Sequence, residues 1–144
     1  SLVVTDQNNC SLDTSFNIGT GFAVESILIS AYNCITNIAK TFNDKLLISG
    51  QMTTYKGSAI NKVIRLNTDG TLDTSFNVNH NTLICMTDVE VLSDNKVLIS
   101  GAGLTTIDGS PAYGFAILNS SGNLVMGGKN QNISTYSKLA VLEP

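Results

Sequence analysis

The sequence predicts an all-β fold: a single module carrying about two copies of one strand-and-turn unit. Three observations predict it. First, Ser11-Leu12-Asp13-Thr14-Ser15-Phe16-Asn17 recurs as Thr71-Leu72-Asp73-Thr74-Ser75-Phe76-Asn77, with six of seven positions identical. Self-similarity over tens of residues is the signature of a repeat architecture. Second, Lys45-Leu46-Leu47-Ile48-Ser49-Gly50 recurs as Lys96-Val97-Leu98-Ile99-Ser100-Gly101, in the same order relative to the first motif. Third, apolar residues alternate with polar ones and turn-forming dipeptides punctuate them, while no helical periodicity competes.

The module covers residues 1–144, with copies at approximately 11–70 and 71–122. Val3-Val4 stands before the first Leu-Asp-Thr motif as Val63-Ile64 stands before the second, so a flanking strand is expected at 2–5. From Asn17 to Lys45 is 28 positions, but from Asn77 to Lys96 only 19, so the first copy carries an insertion of about nine residues around Ala23 to Tyr32. In the second copy Val89 and Val91 alternate with Asp88 and Glu90, as in a half-buried strand, and Asp94-Asn95 supplies a turn into Lys96 to Ser100. Asn43-Asp44 does the same in the first copy. Thr53-Thr54 with Gly57 matches Thr105-Thr106 with Gly109. Third strands follow at Val63 to Leu66 and Phe115 to Leu118, ended by Asp69-Gly70 and Ser121-Gly122, where glycine tolerates positive φ.

Asp13 and Asp73 are expected to cap the turns that follow them, and Phe16 and Phe76 to fill equivalent spaces between neighbouring sheets. After Leu124 the chain reads Val125-Met126-Gly127-Gly128 where the motif would continue Asp-Thr-Ser-Phe, so a third copy degenerates at once. Only Leu139 to Leu142 reads as a further flanking strand.

Composition excludes several function classes. The net charge is −3 with a pI near 4.8, and the eight Lys and Arg are scattered. Nucleic acid is therefore not an expected partner, because phosphate neutralisation needs a basic patch. Ser26 to Tyr32 is the longest mildly apolar stretch, too short to span a bilayer, so no membrane is expected either. The chain opens at Ser1 without the charged and apolar regions of a targeting signal, as a processed product or excised piece would. Cys10, Cys34 and Cys85 show no CxxC spacing and are expected to be small buried hydrophobes rather than metal ligands or a disulfide framework.

No catalytic, cofactor or metal site is expected. The single histidine, His80, lies in a polar run and reads as a solvated loop side chain. No GxSxG elbow or comparable activating context surrounds a serine. Gly101-Ala102-Gly103 lacks the third glycine and the following helix of a phosphate loop. Asp69 and Asp108 each precede a glycine and are most simply turn residues. Asn9, Asn119 and Asn132 open sequon-like triplets, which an Asn- and Ser-rich chain generates freely.

The ordered motifs Asn67 to Asn77, Ile18-Gly19-Thr20-Gly21-Phe22, Lys45 to Gly50 and Tyr55-Lys56-Gly57 together resemble the delta-sixty repeat, over roughly residues 11 to 124. The resemblance implies a β-propeller-like module of about two blades plus flanking strands. Such repeats occur in bacterial surface or secreted proteins and phage virion proteins. The implied function is a non-enzymatic structural or adhesion module of a larger surface assembly, as in a virion tail or fibre, located on a virion, outside the cell or at the cell surface. Its implied partners are other copies of itself or other virion or surface proteins.

The alternative is a lectin-like propeller binding glycan, with Tyr55 and Tyr113 stacking on a sugar ring and Asp108 bonding its hydroxyls. The blander reading of both tyrosines is packing between blades, consistent with the absence of Trp. Two blades leave apolar faces and strand edges open, so a ring closed by three chains, giving about six blades, is one expected solution.

Overall fold

The computed structural model describes residues 14–23, 35–81 and 85–129. They form an all-β fold of four antiparallel sheets, and the repeat in sequence is a repeat in structure. The first copy supplies β1 (Phe22–Ala23), β2 (Ile35–Lys40), β3 (Leu46–Gly50), β4 (Thr54–Tyr55), β5 (Ser58–Ala59) and β6 (Val63–Leu66). The second supplies β7 (His80–Asn81), β8 (Cys85–Val91), β9 (Val97–Ala102), β10 (Thr106–Ile107), β11 (Ser110–Pro111), β12 (Phe115–Leu118) and β13 (Leu124–Gly127). Each copy builds a main sheet, β2-β3-β6 or β8-β9-β12-β13, and a small sheet, β1-β4-β5 or β7-β10-β11.

The turns explain why the strands fall where they do. Asp44 and Asn95 both sit at φ 62°, closing the β2–β3 and β8–β9 hairpins, where a short polar side chain tolerates the left-handed region. Lys56-Gly57 and Asp108-Gly109 both have positive φ at the two central positions. Tyr55 pairs with Ser58 and Ile107 with Ser110, so each is a two-residue hairpin with the twist that matches its strands. Even an irregularity repeats: the register slips between Ile35 and Asn37 in β2, and between Met86 and Asp88 in β8.

Two apolar clusters hold the sheets. Ile48, Met52, Tyr55, Ile64 and Leu66 form one, with Phe16, Ile18 and Leu72 against it. The other uses the matching positions of the second copy, including Ile99, Leu104, Ile107, Ala116, Leu118, Phe76 and Val78, and adds Leu47 and Val63 from the opposite face of the first main sheet. Phe16 and Phe76 thus hold the expected equivalent positions, Phe76 buried and Phe16 half-buried. Polar bonds join β2 to β8: Thr36 Oγ1 donates to the Met86 carbonyl (2.7 Å), and the Asn37 amide donates to Asp88 and to the Val89 carbonyl.

Three sequence expectations change. The divergence at Val125 to Gly127 does not end the sheet; it builds β13, an additional outer strand on β12. In the first copy the corresponding chain leaves after one bridge, Leu66 to Leu72, because Asp73 turns it away. His80 is not a solvated loop residue: it pairs with Ile107 in β7, where the first copy has Phe22 paired with Tyr55. The insertion begins only after Ala23, which is in β1. The flanking strands at 2–5 and 139–142, Asp13, Cys10, Cys34, Asn9, Asn132 and the insertion from residue 24 onward lie outside the described residues; Cys85 opens β8. No described helix is long and apolar enough to cross a membrane.

Each copy is fastened by the same close approach. Asn17 N donates to the Asp69 carbonyl and Asn77 N to the Ser121 carbonyl, both at 3.1 Å. The backbone of Asn17 then lies so near Gly70 that an added Cβ would stand 2.7 Å from its carbonyl oxygen; Asn77 crowds Gly122 in the same way. Gly57 shares the φ of +79° but has nothing within 4 Å. Gly57→Ala should therefore cost about 1 kcal/mol from backbone strain alone. Gly70→Ala, which adds the collision, should cost about 2–4 kcal/mol on the scale of overpacked sites. Chemical denaturation of the two variants checks the difference, and equal midpoints would refute the latch.

Candidate functional site

The main concentration of charge among the described residues sits at the junction of the two copies. Asp73 follows Leu72, its backbone N–H donates to the Arg65 carbonyl at 2.8 Å, and its side chain is only 7% exposed. Oδ1 accepts from Ser75 N (3.0 Å) and Ser75 Oγ (2.6 Å), the turn cap expected from the motif. Oδ2 accepts from Arg65 Nε (2.7 Å) and Lys45 Nζ (2.8 Å). Burial alone would push this carboxyl up, but the bonds from Lys45, Ser75 and Arg65 outweigh it and hold the group well below the usual carboxylate range. Arg65 reaches further: Nη1 donates to the Ser120 carbonyl (2.7 Å), and the guanidinium lies 4.8 Å from the Phe76 ring centroid. With every oxygen lone-pair direction engaged by a donor, Asp73 reads as a structural anion rather than a base.

Beside it opens a cleft of about 380 Å³, bounded by Ala59, Ile60, Asn61 and Val63 on one side and by Leu72, Thr74, Phe76 and Asn77 on the other. Asn61 Nδ2 donates to Asn77 Oδ1 across it (3.0 Å). Sequence reasoning missed this cleft, whose only sequence signal is the contrast between Asp73-Thr74-Ser75 and Val125-Met126-Gly127.

The three candidate glycan residues differ in exposure. Tyr55 is 2% exposed, its ring 4.7 Å from Phe22 and its hydroxyl donating to the Gly70 carbonyl at 2.6 Å. Burial raises its phenol above the usual range, and it offers no face for stacking. Asp108 is exposed in the β10–β11 turn of the other copy, its amide bonded to the Asn79 carbonyl. Tyr113 is half-buried between β11 and β12, its N–H donating to the Gly128 carbonyl. No three His, Cys, Asp or Glu side chains converge as metal ligands among the described residues.

His80 Nε2 accepts from Lys62 N at 3.3 Å, which leaves the ring proton on Nδ1, buried without a partner among the described residues. Burial and the nearby Lys62 charge lower its pKa from the ordinary 6.5. A histidine depressed in the folded state binds its proton first in the unfolded chain, so its contribution is present above pH 6.5 and is lost as pH falls through its folded value. His80→Phe, which restores the first copy's side chain, should flatten the stability profile between pH 7.5 and 5. An unchanged slope in urea titrations at those pH values would refute this.

A model of a beta-propeller domain of unknown function (DUF5122) matches residues 43–76. No curated protein and no solved structure matches the chain. The matched span runs from the turn before β3 to Phe76 and so contains Lys45, Arg65 and Asp73. Asp73→Asn, which strands two cations at a buried position, should cost on the order of 3 kcal/mol. In the wild type the same contribution should be intact at neutral pH, begin to fall below about pH 4 and go on falling until the pH reaches the folded pKa, which lies well under the unfolded one. Denaturation at pH 7 and pH 3 checks both: the two proteins should differ at pH 7, and the gap should narrow at pH 3 without closing.

Proposed function

We propose that the chain is a non-enzymatic structural module of a larger surface assembly, of the delta-sixty β-propeller type and suited to a virion tail or fibre, which continues by stacking further blades on its two open faces. Supporting this reading is the unequal cover of equivalent positions. Ile38 in β2 and Val89 in β8 occupy the same place, opposite Ile48 and Ile99 respectively, yet Ile38 is 38% exposed and Val89 is fully buried. Val89 belongs to the cluster that receives Leu47 and Val63 from the first sheet. On the far face of the second sheet the counterparts of Leu47 and Val63 are Leu98 and Phe115, both only half-buried.

The leading face of the first sheet and the trailing face of the second are therefore the same two kinds of surface that already meet between the sheets. A second copy, placed head to tail, would repeat the internal interface, and a heterologous contact of this kind either closes a ring or grows a filament. Propellers close at about four to eight blades, so about three chains would complete one. Tyr55, one of the two tyrosines of the lectin alternative, is buried.

Light scattering on the isolated chain tests this. A closed oligomer is expected, dissociated by Ile38→Lys, whose exposed position should leave monomer stability within about 0.5 kcal/mol. A monodisperse, stable monomer at high concentration would overturn the reading.

A further inference from the structure

The two copies differ most at their outer edges, and the difference has a shape. In the second copy β13 pairs with β12, and the chain continues in register to Gly128, whose N–H donates to the Phe115 carbonyl (3.1 Å) while its carbonyl accepts from Tyr113 N (2.9 Å). Gly127 and Gly128 lie hard against Pro111, Ala112 and Tyr113, close enough that a Cβ on either would collide with that backbone.

In the first copy the counterparts of Pro111, Ala112, Tyr113 and Phe115 are Ala59, Ile60, Asn61 and Val63, which are the four residues along one wall of the 380 Å³ cleft. The place held by Gly127-Gly128 in one copy is the cleft in the other. Asn61 N and the Val63 carbonyl, the counterparts of the two groups that clasp Gly128, have no backbone partner among the described residues. Val63 is buried, where a main-chain carbonyl ordinarily finds a partner, while Asn61 is exposed. Leu72 already fills the place of Leu124, bridged to Leu66, so only the end of the strand is missing.

We propose that this cleft is a strand-acceptor site that binds an extended peptide antiparallel to β6, beyond the place where Asp73 N–H already bonds the Arg65 carbonyl, with the small–small pattern that Gly127-Gly128 displays in the second copy. Its second small residue is held by a donor–acceptor pair, N–H to the Val63 carbonyl and carbonyl to Asn61 N, and the walls exclude bulk on one side of it. The Asn61–Asn77 side-chain bond lies across the cleft and opens on binding. Main-chain pairing supplies the affinity and the small-residue requirement supplies the selection, as in other recognition by strand addition. Because the groups involved are on the sheet edge, the site does not depend on stacking of the faces.

The probe is a fluorescein-labelled peptide with the sequence of residues 127–133, titrated into the full chain and read by anisotropy. Saturable binding is expected, weakened at least about tenfold when proline replaces the second glycine of the peptide, since proline removes the N–H that Val63 accepts. Thr74 is exposed at the opposite wall, so Thr74→Trp should fill the cleft and abolish binding while leaving the denaturation midpoint unchanged. No saturable binding, or binding indifferent to both the proline peptide and Thr74→Trp, would overturn the assignment.

Discussion

The junction of the two copies depends on one carboxylate. Asp73 is drawn out of water and compensated by two cations and two Ser75 donors, and the four donors come from three residues: Lys45 before β3, Arg65 in β6 and Ser75 in the turn. A carboxylate taken from water loses several kcal/mol, and only near-complete hydrogen bonding makes its burial tolerable. The arrangement therefore fixes geometry more than it adds stability. It sets the distance between the edge of β6 and the start of β3, directs the chain away from the first sheet after Leu72, and orients Arg65 so that it reaches the Ser120 carbonyl and the Phe76 ring in the second copy.

What the second copy does without this anion is informative. The counterparts of Asp73 and Arg65 are Val125 and Ile117, while Lys45 is matched by Lys96, which pairs with Asp94 instead. Two members of the charged set are replaced together by apolar residues and the third is re-partnered nearby, so no buried charge is left alone. Removing the anion also removes the turn cap, and the strand that Asp73 interrupts in the first copy runs on as β13. One coordinated replacement thus exchanges an electrostatic junction for a hydrogen-bonded ladder.

Much of this was legible in the sequence because the repeat reports its own landmarks. The motif spacing located the β3 and β9 hairpins, the third strands and their Gly70 and Gly122 turns, and the capping role expected of Asp73 is carried out on Ser75 two residues on. The reason for Gly70 was only half legible: positive φ follows from the turn, but the crowding by Asn17 joins positions far apart in sequence. His80 was misread because a polar run hides a strand of two residues whose partner, Ile107, is more than twenty positions away. Tyr55 reads as a ligand residue because it lies in a turn-rich stretch; the hairpin is so tight that Tyr55 is already inside the sheet, its hydroxyl on the Gly70 carbonyl. The cleft is not legible in either copy alone because it is a difference between copies: one holds a strand where the other holds space.

The open surfaces of the module are of two physical kinds, and they lie in perpendicular directions. The faces carrying Ile38 on one side and Leu98 with Phe115 on the other gain by area, in a non-directional way that accepts any complementary apolar surface. The edge at Val63 gains by direction, because a carbonyl and an N–H spaced along a strand accept only another strand in register. Stacking of sheets consumes the faces and leaves the outer edges free, whereas pairing at an edge leaves the faces free. A scaffold built from this unit would accordingly propagate through its faces and receive peptide segments at its rim. The Asp73 turn keeps these uses separate, since it holds the first copy's own chain out of the edge that its sister copy fills.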